Sequence, residues 1–203
     1  MKIYINLISI ILVLLFTSGC IQSIHPYYTN DIKISFEEIN GYWTMINNAE
    51  SDNLNDKNQW IFAYDIITIY ESDNSTSILG AKYFKIKDSV LVNYAPYDFE
   101  NFMEKKSSLY LIPGLITSHS LAKIEFKENR MTIYPLDTRY VMNKIKNNNY
   151  NLKFYEYGSS MATAYLFVSE SEDWVDFLND NIENESLFDD ENKLVFEKIA
   201  ELY

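Results

Sequence analysis

One cysteine and two histidines, Cys20, His25 and His119, are all the thiol and imidazole chemistry in this 203-residue chain. A single thiol cannot close a disulfide within its own chain, which leaves it to act as a nucleophile, a metal ligand or a site of modification. One Cys and two His make no zinc or copper ligand set unless carboxylates complete it, so no metal centre is expected. His119 lies between Ser118 and Ser120 with Glu125 nearby, the residue types of a Ser-His-acid hydrolase. Neighbours along a strand point to opposite faces, so adjacent Ser and His side chains are badly disposed for proton transfer. The reading that fits better is a hydrogen-bonded histidine at the start of a strand. His25, next to Pro26, is expected to tie the N-terminal tether to the barrel.

The carboxylates fall mostly in surface-like clusters: Glu37-Glu38, Asp52 to Asp56, and Asp189-Asp190-Glu191. Asn179-Asp180-Asn181-Ile182-Glu183 is the nearest approach to a calcium loop, but it lacks the glycine that lets such a loop turn sharply. Gly80, Gly114 and Gly158 are isolated, so no glycine-rich loop cradles a phosphate. No cofactor is expected, and catalysis is the least supported class of function.

The elements that position these residues begin with an export segment. Lys2 supplies a positive start, Ile3 to Phe16 is apolar apart from Asn6 and Ser9, and Thr17-Ser18-Gly19 leaves small side chains before Cys20. The apolar run is shorter than the 20 or so residues a bilayer span needs. The segment resembles the lipobox of bacterial lipoproteins, although Thr17 stands where an aliphatic residue is usual. The resemblance implies that a diacylglycerol is attached to the Cys20 sulfur, that a peptidase cuts between Gly19 and Cys20, and that the new amino group is acylated, for example with palmitate. An uncleaved N-terminal anchor and a secreted protein with a free thiol are the alternatives. Acylation consumes the thiol and removes Cys20 from the list of nucleophiles and metal ligands.

Cleavage at that point leaves 184 residues with 16 Lys+Arg against 29 Asp+Glu, a net charge of −13. Such a surface repels phosphates, which argues against nucleic acid and against electrostatic docking on anionic headgroups. Membrane contact is expected through the lipid. Aromatic residues make up 16 % of the chain while Gly and Pro number 5 and 4, a folded composition with length for one core. The domain plan is therefore a signal peptide over 1–19, an acylated N-terminus and tether over 20–35, and one domain over 36–203.

Within that domain, short runs rich in Ile, Val, Tyr, Phe and Thr alternate with Asn, Asp, Ser and Gly clusters. Strands are expected near Tyr42–Asn47, Gln59–Tyr64, Ile66–Glu71, Gly80–Lys87, Ser89–Tyr94, Ser118–Lys127, Arg130–Leu136, Asn151–Tyr157 and Met161–Ser169. Hairpins are expected at Lys87-Asp88-Ser89 and Lys127-Glu128-Asn129. Asp137 to Asn147 has helical spacing. Ser169 to Ile182 has it more clearly, with Ser169 and Glu172 at capping-box spacing and an apolar stripe of Trp174, Val175, Phe177, Leu178 and Ile182. Lys193 to Ile199 is expected to return to the sheet as a short last strand.

This order of elements, opening on Gly41-Tyr42-Trp43 after Phe36-Glu37-Glu38-Ile39-Asn40, resembles the lipocalins. Over nearly its whole length the chain resembles a largely uncharacterised group of lipocalin-like bacterial lipoproteins. The residues that carry this are Cys20, Ser23 to Thr29 (SIHPYYT), Gly41-Tyr42-Trp43, Gln59-Trp60-Ile61-Phe62, Val90 to Pro96 (VLVNYAP), His119 and Trp174-Val175-Asp176-Phe177-Leu178. The resemblance implies a mainly β fold, an antiparallel up-and-down barrel with a C-terminal helix and a short final strand. It also implies that Gly41 and Trp43 are structural, with Trp43 closing one barrel end. The Thr-Asp-Tyr loop motif of lipocalins has no equivalent, and Thr138-Arg139-Tyr140 matches it only by coincidence. The basic residue that covers the base tryptophan in lipocalins has no assignable counterpart, Lys198 being a guess.

Ala95 to Thr117 exceeds what a minimal barrel requires and is too apolar for a solvated loop. Its Tyr97, Phe99, Phe102 and Tyr110 are the first candidates for a ligand or partner surface. Two functions follow ahead of the His119 hydrolase. One is a binding module holding a small apolar ligand in the barrel; the other is a structural or assembly lipoprotein that binds another envelope protein. By the sorting rule of enteric lipoproteins, Ile21 rather than Asp after the acylated cysteine favours the outer membrane, and Ile21-Gln22-Ser23-Ile24 lacks the acidic run of surface-exported lipoproteins, so a periplasm-facing place in the cell envelope is expected.

Overall fold

The structure, a computed structural model, describes residues 21–46, 59–70, 75–97, 118–148, 150–159 and 162–202. Alternation of apolar and polar residues produces eleven strands among them. Eight close into one antiparallel barrel: β2 (Gly41–Met45), β3 (Gln59–Ala63), β4 (Ile66–Tyr70), β5 (Thr76–Ile86), β6 (Ser89–Pro96), β7 (Ser120–Lys127), β8 (Arg130–Pro135) and β11 (Leu194–Ala200). β2 to β8 run up and down in chain order, and β11 inserts between β8 and β2 to close the ring, pairing Leu194 with Ile133 and Lys198 with Trp43. The topology is that of a lipocalin-like barrel, with every edge strand eliminated by closure. The three lower turns are short, and the first turn residue of each, Tyr64, Lys87 and Glu128, has positive φ.

Two of the expected strands lie outside this barrel. β9 (Phe154–Ser159) and β10 (Ala162–Phe167) pair with each other and with β1 (Ile21–Ser23), which runs parallel to β10, in a separate three-stranded sheet ordered β1-β10-β9. Helices α1 (Thr138–Asn148) and α2 (Ser171–Asn181) flank the β9-β10 hairpin in sequence, so the whole excursion leaves the barrel after β8 and returns at β11. The helices therefore precede the last barrel strand. The segment expected to leave the membrane as a tether is packed from Ile21 onward, with Tyr27 fully buried against Trp174 at a ring distance of 4.6 Å.

The barrel wall consequently separates two cores. Inside are Trp43, Trp60, Phe62, Tyr83, Met131 and Phe196, with Ile39 beneath them. Outside, Phe84, Ile86, Leu91 and Leu121 project from β5, β6 and β7 into a second core with Phe167, Trp174, Phe177 and Leu178. Strands buried on both faces explain the near-continuous apolar run of β6. At the start of α2 the expected capping box does not form. Glu170 holds the cap position without a side-chain bond. The Ser169 hydroxyl instead accepts the Lys153 N–H at 2.6 Å, and the Ser171 hydroxyl donates to the Pro26 carbonyl at 2.7 Å. Both bonds anchor the helix to neighbouring chain segments, a tertiary use of residue types that local spacing assigns to capping.

Candidate functional site

At the lower end of the barrel, where β2 begins and β11 ends, the Gly41-Tyr42-Trp43 motif is locked from below. Residues Glu37–Ile39 form a 3-10 turn under the barrel. The Trp43 indole N–H donates to the Ile39 carbonyl at 2.8 Å, and the ring meets Phe126 at 5.8 Å. Lys198 lies over the indole, its ammonium 5.4 Å from a ring centroid, and pairs with Glu201 at 2.7 Å. A cation over a tryptophan face is attractive, more so when partly desolvated. Gly41 makes this approach possible. Its φ of +146° is one that side chains disfavour, and a Cβ there would lie 2.7 Å from both the Ala200 carbonyl oxygen and the Lys198 Cε. Gly41→Ala is expected to destabilise the domain by about 2 kcal/mol through backbone strain and displacement of Lys198, read as a lowered melting temperature.

Beside this base a groove of about 340 Å³ opens between the β3-β4 turn, the lower half of β5 and residues 33–37. Its origin is the unequal length of β4 and β5. β4 ends its pairing at Ile66 opposite Gly80, while β5 continues to Ile86, so the lower part of β5 takes Lys33 and Ile34 as neighbours instead. Phe36 and Tyr83, with rings 5.7 Å apart, and Ile34 give the groove apolar surface. Lys82 and Asp65 form an ion pair there, with Lys33 and Glu37 also lining it. The Asn40 side-chain carbonyl holds the turn in place by accepting the Tyr64 N–H at 2.8 Å.

Tyr83 is 3 % exposed, and its hydroxyl is buried without a hydrogen-bond partner among the described residues. Burial pushes its ionisation well above the ordinary tyrosine range, and the Asp65 carboxylate pushes in the same direction. It is thus a neutral phenol, able to donate one hydrogen bond and accept another. An unsatisfied buried polar group costs roughly 1–3 kcal/mol, so such an atom in a native barrel calls for a partner. The Trp60 indole N–H is a second donor in the same core without a partner among the described residues.

His119 sits under the outer layer, where its backbone pairs with Ser23 and its Nδ1 lies 3.0 Å from the Asn93 side-chain amide nitrogen. The Asn93 carbonyl oxygen in turn accepts the Tyr27 N–H at 3.2 Å. Burial, followed by the influence of His25, lowers the His119 pKa, so the neutral imidazole is favoured. This connects three segments of the chain. His25 faces Glu170 at 3.7 Å across the N-terminal segment. Among the described residues no group of three or more His, Cys, Asp or Glu is placed to hold a metal ion, and no helix is long and apolar enough to cross a membrane.

Of the other residues singled out by sequence, Gly19, Cys20, Phe99, Phe102 and Tyr110 lie outside the described residues. Tyr97 is half exposed at the upper end of β6, donating its N–H to the Ile78 carbonyl at 3.2 Å, and Ile78 and Tyr70 are exposed on the same outer wall. The groove was not foreseeable from motifs. Its residues come from three separate segments that only the unequal lengths of β4 and β5 bring together. Compared with protein-family models, curated proteins and solved structures, the chain matches none.

Proposed function

We propose that this protein is a lipid-anchored, extracytoplasmic lipocalin-like lipoprotein, acylated on Cys20, that holds a small amphipathic ligand at the base of its barrel. The observation that carries the ligand reading is the groove beside Tyr83, with its apolar surface, a buried phenol lacking a partner among the described residues, and ionic groups of both signs. Its volume lies at the low end of small-molecule sites, and pockets of that kind pair apolar walls with a few polar groups that fix orientation. The higher interior is filled by aromatic side chains, as small barrels permit, so an apolar body with one hydrogen-bonding group suits the base better than a long chain through the barrel. The anchor reading rests on residues 1–20 and places the domain in the cell envelope, facing the periplasm.

Native mass spectrometry of the protein released from membranes in mild detergent tests the ligand reading. A bound small molecule is expected on wild type, with lower occupancy on Tyr83→Phe, since one lost hydrogen bond of about 0.5–1.5 kcal/mol weakens binding roughly two- to tenfold. The same variant removes an unsatisfied group and is expected to gain about 1 kcal/mol of stability when empty. A stabilised variant with weaker binding separates a ligand contact from a purely structural tyrosine. The second reading, a platform for another envelope protein, draws on the exposed Tyr70, Ile78 and Tyr97. A co-purifying protein without a small molecule favours that reading instead.

A further inference from the structure

The three-stranded sheet has one face in the outer core and one face bare. Ile21, Ser23 and Phe167 point inward and are buried. The register sets Gln22 beside Leu166, Leu166 opposite Tyr155 and Ala164 opposite Tyr157, so these five share the outer face. Tyr155 and Tyr157 are 67 % and 48 % exposed, and the Tyr157 hydroxyl reaches across the sheet to donate to the Gln22 side-chain carbonyl at 3.1 Å. None of the five is charged, and the chain carries no charged residue from Tyr157 to Ser169, although its net charge is strongly negative. We propose that this face forms the surface on which the domain rests in the headgroup region of the bilayer. The proposal builds on acylation of Cys20.

The geometry follows from where the chain enters. Ile21 is the first residue of β1 and is buried, so no free linker separates Cys20 from the folded domain. A lipid on Cys20 therefore brings the start of β1 to the membrane. β10 is parallel to β1, and Ile21 lies opposite Tyr165, three residues after the start of β10 at Ala162. Ala164 and Tyr157 therefore sit one residue nearer the anchored end than Ile21, and Leu166 and Tyr155 lie level with Gln22, so an anchored Cys20 brings the outer face alongside the headgroup region. Tyrosines favour that zone because their rings are apolar and their hydroxyls stay hydrated. An uncharged face avoids the repulsion that the rest of this acidic surface would meet at anionic lipids.

The test uses the full-length protein, matured in cells and reconstituted in phosphatidylcholine vesicles. Once Cys20 is acylated, an introduced cysteine is the only free thiol, so Tyr155→Cys, Ala164→Cys and Tyr42→Cys can each carry one environment-sensitive fluorophore. Tyr42 is exposed on β2, four strands around the ring from β6. Nitroxide-labelled phosphatidylcholine is expected to quench the first two severalfold more than the third, and aqueous iodide should do the reverse. Equal, weak lipid quenching at all three positions in anchored protein overturns the docking surface alone. Protection of Tyr155→Cys and Ala164→Cys from both quenchers assigns the face to a protein partner and overturns it too. An alkyne fatty acid supplied during growth reports acylation in the same samples, and its absence overturns the anchor and this surface together.

Discussion

Trp43→Ala is expected to cost the domain about 3–5 kcal/mol, the range for truncating a fully buried aromatic side chain. Trp43 is 1 % exposed, and the indole connects Ile39, Phe126 and Lys198 at the point where the barrel closes. Its loss removes apolar contact and leaves the Ile39 carbonyl without its donor. For a domain of this size each kcal/mol corresponds to about 2–4 °C, so the melting temperature should fall by roughly 6–20 °C. Trp43→Phe keeps most of the volume and loses the hydrogen bond, so its cost should be nearer 1–2 kcal/mol above the change in packing. Thermal melts of both variants separate the two contributions. A Trp43→Ala protein that melts with wild type would show that the indole does not hold the barrel base.

The strands were legible because apolar alternation and polar turns are local. β2, β3, β4 and β8 end within two residues of where alternation stops, and the Lys87-Asp88 and Glu128-Asn129 turns fall where polar pairs interrupt it. β5 begins four residues before Gly80, in a Thr-Ser stretch that reads as loop and becomes strand only through pairing with β4. β1 is three residues long and has no pattern of its own; β10 on one side and the bridge from Ser23 to His119 define it. Alternation also says which residues share a face but not which sheet a strand joins, so β9 and β10 read as barrel strands and are not. The second core, with Phe84 and Leu91 facing outward into it, was hidden for the same reason. Gly41 and Trp43 were found because the motif is contiguous, and the position of Lys198 over Trp43 comes from the β11-β2 pairing.

Cys20→Ser is the second large effect. An acylated cysteine supplies the two or three chains that stable attachment requires, since a single chain gives only marginal binding. Serine has no thiol to form the thioether, and the described domain has no apolar helix to replace the lipid. The variant is expected to leave the sedimented membrane fraction almost completely or to accumulate with residues 1–19 uncut. Its fold should be unaffected, because serine keeps the size of cysteine ahead of the buried Ile21.

The central claim is that this barrel begins at an acylated cysteine. Mass spectrometry of the N-terminal peptide from protein extracted from membranes tests it most directly. The account predicts a peptide that starts at Cys20 and carries a diacylglyceryl group on sulfur, with or without a further acyl chain on the amino group. A peptide with unmodified Cys20, or one that retains residues 1–19, would contradict it.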